Sequence, residues 1–144
     1  MNPINTPLTE QLAELTNRLF WLSESEFPFQ VIIWDTDRVT IEQLLKLTYH
    51  PPNTPVQTLT IHEFFAPALE GLGSFSYLLD QALIGRYRIL YNYLTYYLDN
   101  IKVYRVGTHP IYIYIMGITR DENLAGIATQ IIETIPQSSR IHPQ

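Results

Sequence analysis

The chain has 144 residues, 46% of them hydrophobic and 16% charged, with no cysteine and a formal net charge of −5. That length and composition fit one globular domain burying roughly 68–70% of its unfolded surface, and exclude the low-hydrophobicity, high-charge signature of disorder. The missing cysteines rule out disulfides, thiol catalysis and cysteine-based zinc sites, and the acidic balance opposes a non-specific grip on nucleic acid while suiting a basic protein partner.

Thr6-Pro7 supplies an N-cap and a proline at the first helical position, and Leu8, Leu12, Leu15, Leu19 and Leu22 recur on one face, which predicts an amphipathic helix over 7–22. Pro28 biases Phe27 toward extended backbone, and Phe29 to Trp34 reads as a buried strand ending at the turn-forming Asp35-Thr36-Asp37. Thr40 with Gln43 forms a capping box ahead of Ile41, Leu44, Leu45 and Leu47, so a short helix follows and stops before Pro51-Pro52. A loop over 51–55 leads to a strand at Val56 to Ile61 and a short helical turn through Phe64 and Phe65. Leu79, Leu83, Leu90, Leu94 and Tyr97 or Leu98 predict a long helix between Ser76 and Asp99. Three strands close the chain, at Val103 to Val106, Pro110 to Thr119 and Leu124 to Thr134, the last two forming a hairpin across Arg120-Asp121-Glu122-Asn123.

Between Ile111 and Met116 both alternating sets are apolar, as expected of a strand covered on two faces. The predicted fold is therefore α+β: a three-layer α/β/α sandwich around a mixed, largely antiparallel sheet. One domain spans 1–134, and the polar, proline-containing segment 135–144 reads as a flexible tail. The longest apolar run falls far short of the ~20 residues that a membrane helix needs. The polar opening residues lack the layout of a secretory signal, so a soluble, cytoplasmic protein is expected.

Enzymatic constellations are weak. His50, His62, His109 and His142 show no paired-ligand spacing, and Gly71-Leu72-Gly73-Ser74-Phe75-Ser76 lacks the third glycine of a dinucleotide fingerprint. Asp35 and Asp37 are ordinary turn chemistry after a strand. Arg86, Arg88 and the tyrosines at 87, 91, 93, 96 and 97 could stack on bases, but Tyr87, Tyr91, Leu94 and Leu98 form one helical stripe, which a partly buried face explains. There remains Ser23-Glu24-Ser25-Glu26, between the first helix and the first strand. In extended backbone Glu24 and Glu26 point the same way and could face one partner; the alternative is a solvated loop that merely ends the helix.

Ser23 to Trp34, Phe64-Phe65, Val103-Tyr104-Arg105-Val106-Gly107 and Asn123 to Thr134, with the first helix, resemble in register the nuclease A inhibitor family of small acidic cyanobacterial proteins. The resemblance implies an α/β/α sandwich without catalytic activity or cofactor of its own. It implies a protein partner, a sugar-non-specific DNA/RNA endonuclease of the ββα-metal type, whose active site with its bound Mg²⁺ is plugged. On the same resemblance, Thr134 offers its hydroxyl to that Mg²⁺ and Glu24 approaches it through water, with Ser23, Ser25 and Glu26 beside it in the nuclease-binding segment. In the family the matching threonine is the last residue, whereas here the sequence continues to Gln144; the family's glutamine and tryptophan contacts in the central loop have no clear counterparts in Leu72 to Tyr77. An interaction module on the same fold with a different partner, and a hydrolase using Glu24 and Glu26 as an acid/base pair, are the competing readings.

Overall fold

Leucines at helical spacing wind the first segment into α1 (Asn5–Leu15) in the computed structural model, which describes residues 5–21, 27–71 and 79–132. The helix ends earlier than its leucine pattern suggests. The buried Thr16 hydroxyl donates back to the Leu12 carbonyl at 2.7 Å, and Arg18 takes a left-handed φ of 57°. Leu19 and Trp21 are still buried, on non-helical chain whose Phe20 forms an antiparallel bridge with Pro28.

β1 (Gln30–Trp34) follows, and its acidic exit is a turn: the Thr36 hydroxyl donates to the Arg38 carbonyl at 3.1 Å. α2 (Ile41–Leu47) starts at the expected capping box, with Gln43 N–H donating to Thr40 Oγ1 at 3.1 Å and Thr40 N–H to Gln43 Oε1 at 2.9 Å. β2 (Val56–Leu59) leads into α3 (Ile61–Glu70), a full helix where the sequence reading expected a single turn. A second box, Thr60 with Glu63, nucleates α3, and Gly71 closes it at a left-handed φ of 70°. α4 (Gln81–Tyr97) is capped by Asp80, whose carboxylate accepts from Leu83 N–H at 2.8 Å. β3 (Asp99–Val106) begins at once after α4, four residues earlier than its β-branched run suggested, through a bulge between Asp99 and Lys102. β4 (Ile111–Ile118) and β5 (Leu124–Ile131) form the expected hairpin, closed by Thr119 N–H to the Asn123 carbonyl at 2.8 Å.

The five strands form one sheet in the order β1-β5-β4-β3-β2, and every pairing is antiparallel. The fold is α+β, with the sheet antiparallel throughout its described strands. Alternation along the strands divides the core in two. Val103, Ile113, Ile115, Ala125, Ile127 and Ile131 meet α1, α3 and α4, while Tyr104, Val106, Tyr114, Met116, Leu124 and Ala128 face Leu44 and Leu45 of α2. β5 carries Gly126 because a Cβ there would sit 1.7 Å from the Ile115 carbonyl oxygen, too close for any other residue without a shift of backbone.

Candidate functional site

The antiparallel pairing of β1 with β5 decides which chain segments are neighbours. Gln30, at the start of β1, pairs with Ala128 near the end of β5, so the chain enters the first strand and leaves the last at the same end of the sheet. Ser23, Glu24, Ser25, Glu26 and Thr134 lie outside the described residues, as do Leu72 to Tyr77 and the segment 135–144.

On the entry side, Trp21 is buried among rings: it stacks on Phe64 at 4.3 Å and meets Tyr87 and Phe65 edge-on at 5.1 and 5.4 Å. Such aromatic pairs contribute about 0.5–1.5 kcal/mol each beyond their buried area. The Tyr87 hydroxyl donates to the Phe20 carbonyl, and burial holds this phenol protonated far above its ordinary range. Beyond the undescribed stretch, the Thr129 hydroxyl shares its proton between the Phe27 and Pro28 carbonyls, at 3.2 and 3.1 Å. Thr129 is thus a polar residue in an apolar strand whose role is to fasten the entry of β1 to the exit of β5. A threonine among Ala125, Ile127 and Ile131 was the signal for it in the sequence.

α4 reaches across to the C-terminal ends of α1 and α3. Arg86 donates to the carbonyls of Leu15 and Asn17 at 3.1 and 2.8 Å, capping α1 there, and Arg88 donates to the Leu69 carbonyl at 3.4 Å. Both arginines are therefore structural donors at helix ends. The base-stacking alternative loses its cations, and Tyr87 is wholly buried, as the helical-stripe reading expected. The corner between α2 and β2 completes the end of the sheet at which β1 begins: His50 Nε2 lies 3.0 Å from the Tyr114 hydroxyl, and its ring packs edge-on against Tyr112 at 4.6 Å. Burial lowers the His50 pKa and raises that of Tyr114. Between this corner and Phe27 runs a shallow groove of about 230 Å³, floored by Tyr112, Tyr114 and Ala128.

The remaining histidines assemble nothing. His62 stands 3.9 Å from Glu70 on the exposed side of α3, His109 is exposed, and His142 lies outside the described residues. Among the described residues no group of three or more histidines or acids could hold a metal ion, and no buried side-chain polar atom lacks a hydrogen-bond partner. No described helix is long and apolar enough to cross a membrane.

What these features define is a small α+β domain whose rigid antiparallel sheet gathers several chain segments at one end. The profile of the nuclease A inhibitor-like proteins matches residues 6–134, nearly the whole chain, and the protein belongs to that family. Comparison with curated proteins returns no match.

Proposed function

We propose that the protein inhibits a sugar-non-specific endonuclease of the ββα-metal type by occupying its active site. One observation carries the reading: a chain matched over 6–134 to the nuclease A inhibitor-like family has, at one end of its sheet, the flanks of both segments expected to contact the enzyme. Glu24 precedes Gln30 by as many residues as Thr134 follows Ala128, its partner in the β1–β5 register. Equal lengths of chain therefore lead from one ladder pair to the two groups.

In this reading the metal belongs to the partner. Mg²⁺ takes oxygen donors in near-octahedral geometry and usually keeps several waters, so the Thr134 hydroxyl and a carboxylate of Glu24 acting through water stand where the scissile phosphate would bind. Neither offers a bond to cleave, and the protein acts as an inhibitor rather than a catalyst. Ser23, Ser25 and Glu26 supply hydrogen bonds and charge beside Glu24, and the net charge of −5 steers the inhibitor toward a basic DNA-binding cleft. The partner is thus a protein with its metal, not nucleic acid itself. The inhibitory unit is 1–134, with 135–144 outside the insertion, and a cytoplasmic setting agrees with the lack of cysteine.

The test is DNA hydrolysis by a ββα-metal nuclease in Mg²⁺, titrated with the full chain, with a chain ending at Thr134 and with Glu24→Ala. Stoichiometric inhibition by the first two is expected, weakened about tenfold or more in Glu24→Ala, which corresponds to about 1.4 kcal/mol or more. Silence from both unsubstituted chains would overturn the reading in favour of an interaction module with another partner.

A further inference from the structure

The corner between α2 and β2 contains a residue that folding alone does not explain. α2 ends in a Schellman motif: Tyr49 N–H donates to the Lys46 carbonyl at 3.2 Å and His50 N–H to the Leu45 carbonyl at 2.8 Å. The residue after the cap must then be left-handed, and that position ordinarily holds glycine because a Cβ crowds the neighbouring carbonyl. Here it holds Tyr49, at φ 63°. The other described non-glycine residues at positive φ, Arg18, Asn100 and Glu122, are all polar; Tyr49 is the aromatic one.

Its ring returns nothing to the fold in exchange. Tyr49 is 94% exposed, the most exposed of the large hydrophobic residues described. The backbone around it is nonetheless held firmly, by the two motif bonds on one side and by the contacts of His50 with Tyr112 and Tyr114 on the other. A strained backbone, fixed by its surroundings and presenting an uncovered aromatic ring, is the pattern of a residue kept for contact rather than for stability.

Its place in the fold selects the partner. Tyr112, on which His50 rests, pairs with Gln130 of β5, and the groove of about 230 Å³ runs from Tyr112 to Phe27 and Pro28. Tyr49, next to His50, thus stands at the same end of the sheet as the described flanks of Glu24 and Thr134. We propose that Tyr49 is an anchor of the nuclease-binding surface, its ring taking a lysine or arginine side chain from the rim of the enzyme's basic DNA-binding cleft. This rests on the inhibitor reading above. A cation over a tyrosine face is attracted by the ring quadrupole, more strongly once desolvated, and the acidic inhibitor brings the two together.

Tyr49→Gly separates contact from folding because it moves the two in opposite directions. Glycine relieves the left-handed strain, so the melting temperature of the isolated protein rises by about 3–5 °C. In the same nuclease titration its inhibition constant rises about tenfold or more, while Tyr49→Phe, which keeps the ring, stays within about twofold of the unsubstituted chain. Unchanged inhibition by Tyr49→Gly, with the unsubstituted chain inhibiting, overturns the anchor and leaves the inhibitor reading standing. An unsubstituted chain that does not inhibit overturns the inhibitor reading and the anchor with it. A melting temperature that fails to rise removes the strain on which the argument rests.

Discussion

The two faces of the sheet are covered very unequally. One carries α1, α3 and α4 over a continuous cluster that includes the fully buried Leu12, Phe65, Tyr87, Leu90 and Leu94. The other carries α2, seven residues long, with Leu44 and Leu45 as its buried contribution. A helix that short is not stable by itself, so α2 persists through its capping box, its two leucines and the clamp of His50 on Tyr114. The difference teaches where stability and contact are lodged. The thick face holds the aromatic cluster that fastens Trp21 and Phe29, and so fixes the entry of β1; on the thin face, among the described residues, Tyr49 and a shallow groove over Tyr112 and Tyr114 are left exposed.

The largest effect that can sharpen this contrast is loss of a core ring. Phe65→Ala removes a wholly buried ring between Trp21 and Tyr91 and is expected to cost about 3–5 kcal/mol in urea unfolding. Leu44→Ala, on the thin face, is expected to cost about 2–3 kcal/mol, because a short helix can settle toward the space left behind. Equal losses would break the contrast. A smaller effect comes from the cap: Thr40→Ala, which removes the hydroxyl that accepts from Gln43 N–H and leaves the residue-40 N–H bond to Gln43 in place, is expected to cost about 1 kcal/mol and to raise amide exchange in α2 before it does so in α4. Uniform exchange across both helices would mean that α2 is no softer than the opposite layer.

The smallest effect is a pH dependence. Burial lowers the His50 pKa below the ordinary 6.5, so between that value and the lowered one the unfolded chain binds more protons than the folded one. The His50 contribution is therefore complete above about pH 6.5 and declines as the pH falls below it. Melting curves from pH 7.5 down to 5 are expected to show a decline that is flatter in His50→Gln. A decline of the same size in that variant would assign it to other groups.

Much of this was legible along the chain. The leucine spacing of α1, the Thr40–Gln43 box, the doubly apolar β4 and the β4–β5 hairpin all depend on residues within a few positions of one another, and all four appear, α1 shortened. The start of α3 lies in a local signal too, the Thr60–Glu63 box, and its end in Gly71. The early start of β3 was not legible, since Asp99 and Asn100 read as a helix stop; a bulge paired against β4 overrides that local preference. The sequence singles out Ser23 to Glu26 and Thr134, the hydroxyl and carboxylate roles coming from the family resemblance, while no motif around Tyr49 marks its left-handed backbone or its exposure.

By itself, then, the sequence determined the kinds of element and their caps, because propensity, periodicity and capping are interactions between near neighbours; its composition excludes cysteine chemistry, and blocks spread along the chain carry the family membership. Only the tertiary structure decided that β1 lies against β5, which joins Gln30 to Ala128 across most of the chain, and that Tyr49 stands uncovered at that same end. Strand order and exposure are set by which distant surfaces exclude water together, and no local pattern encodes that choice.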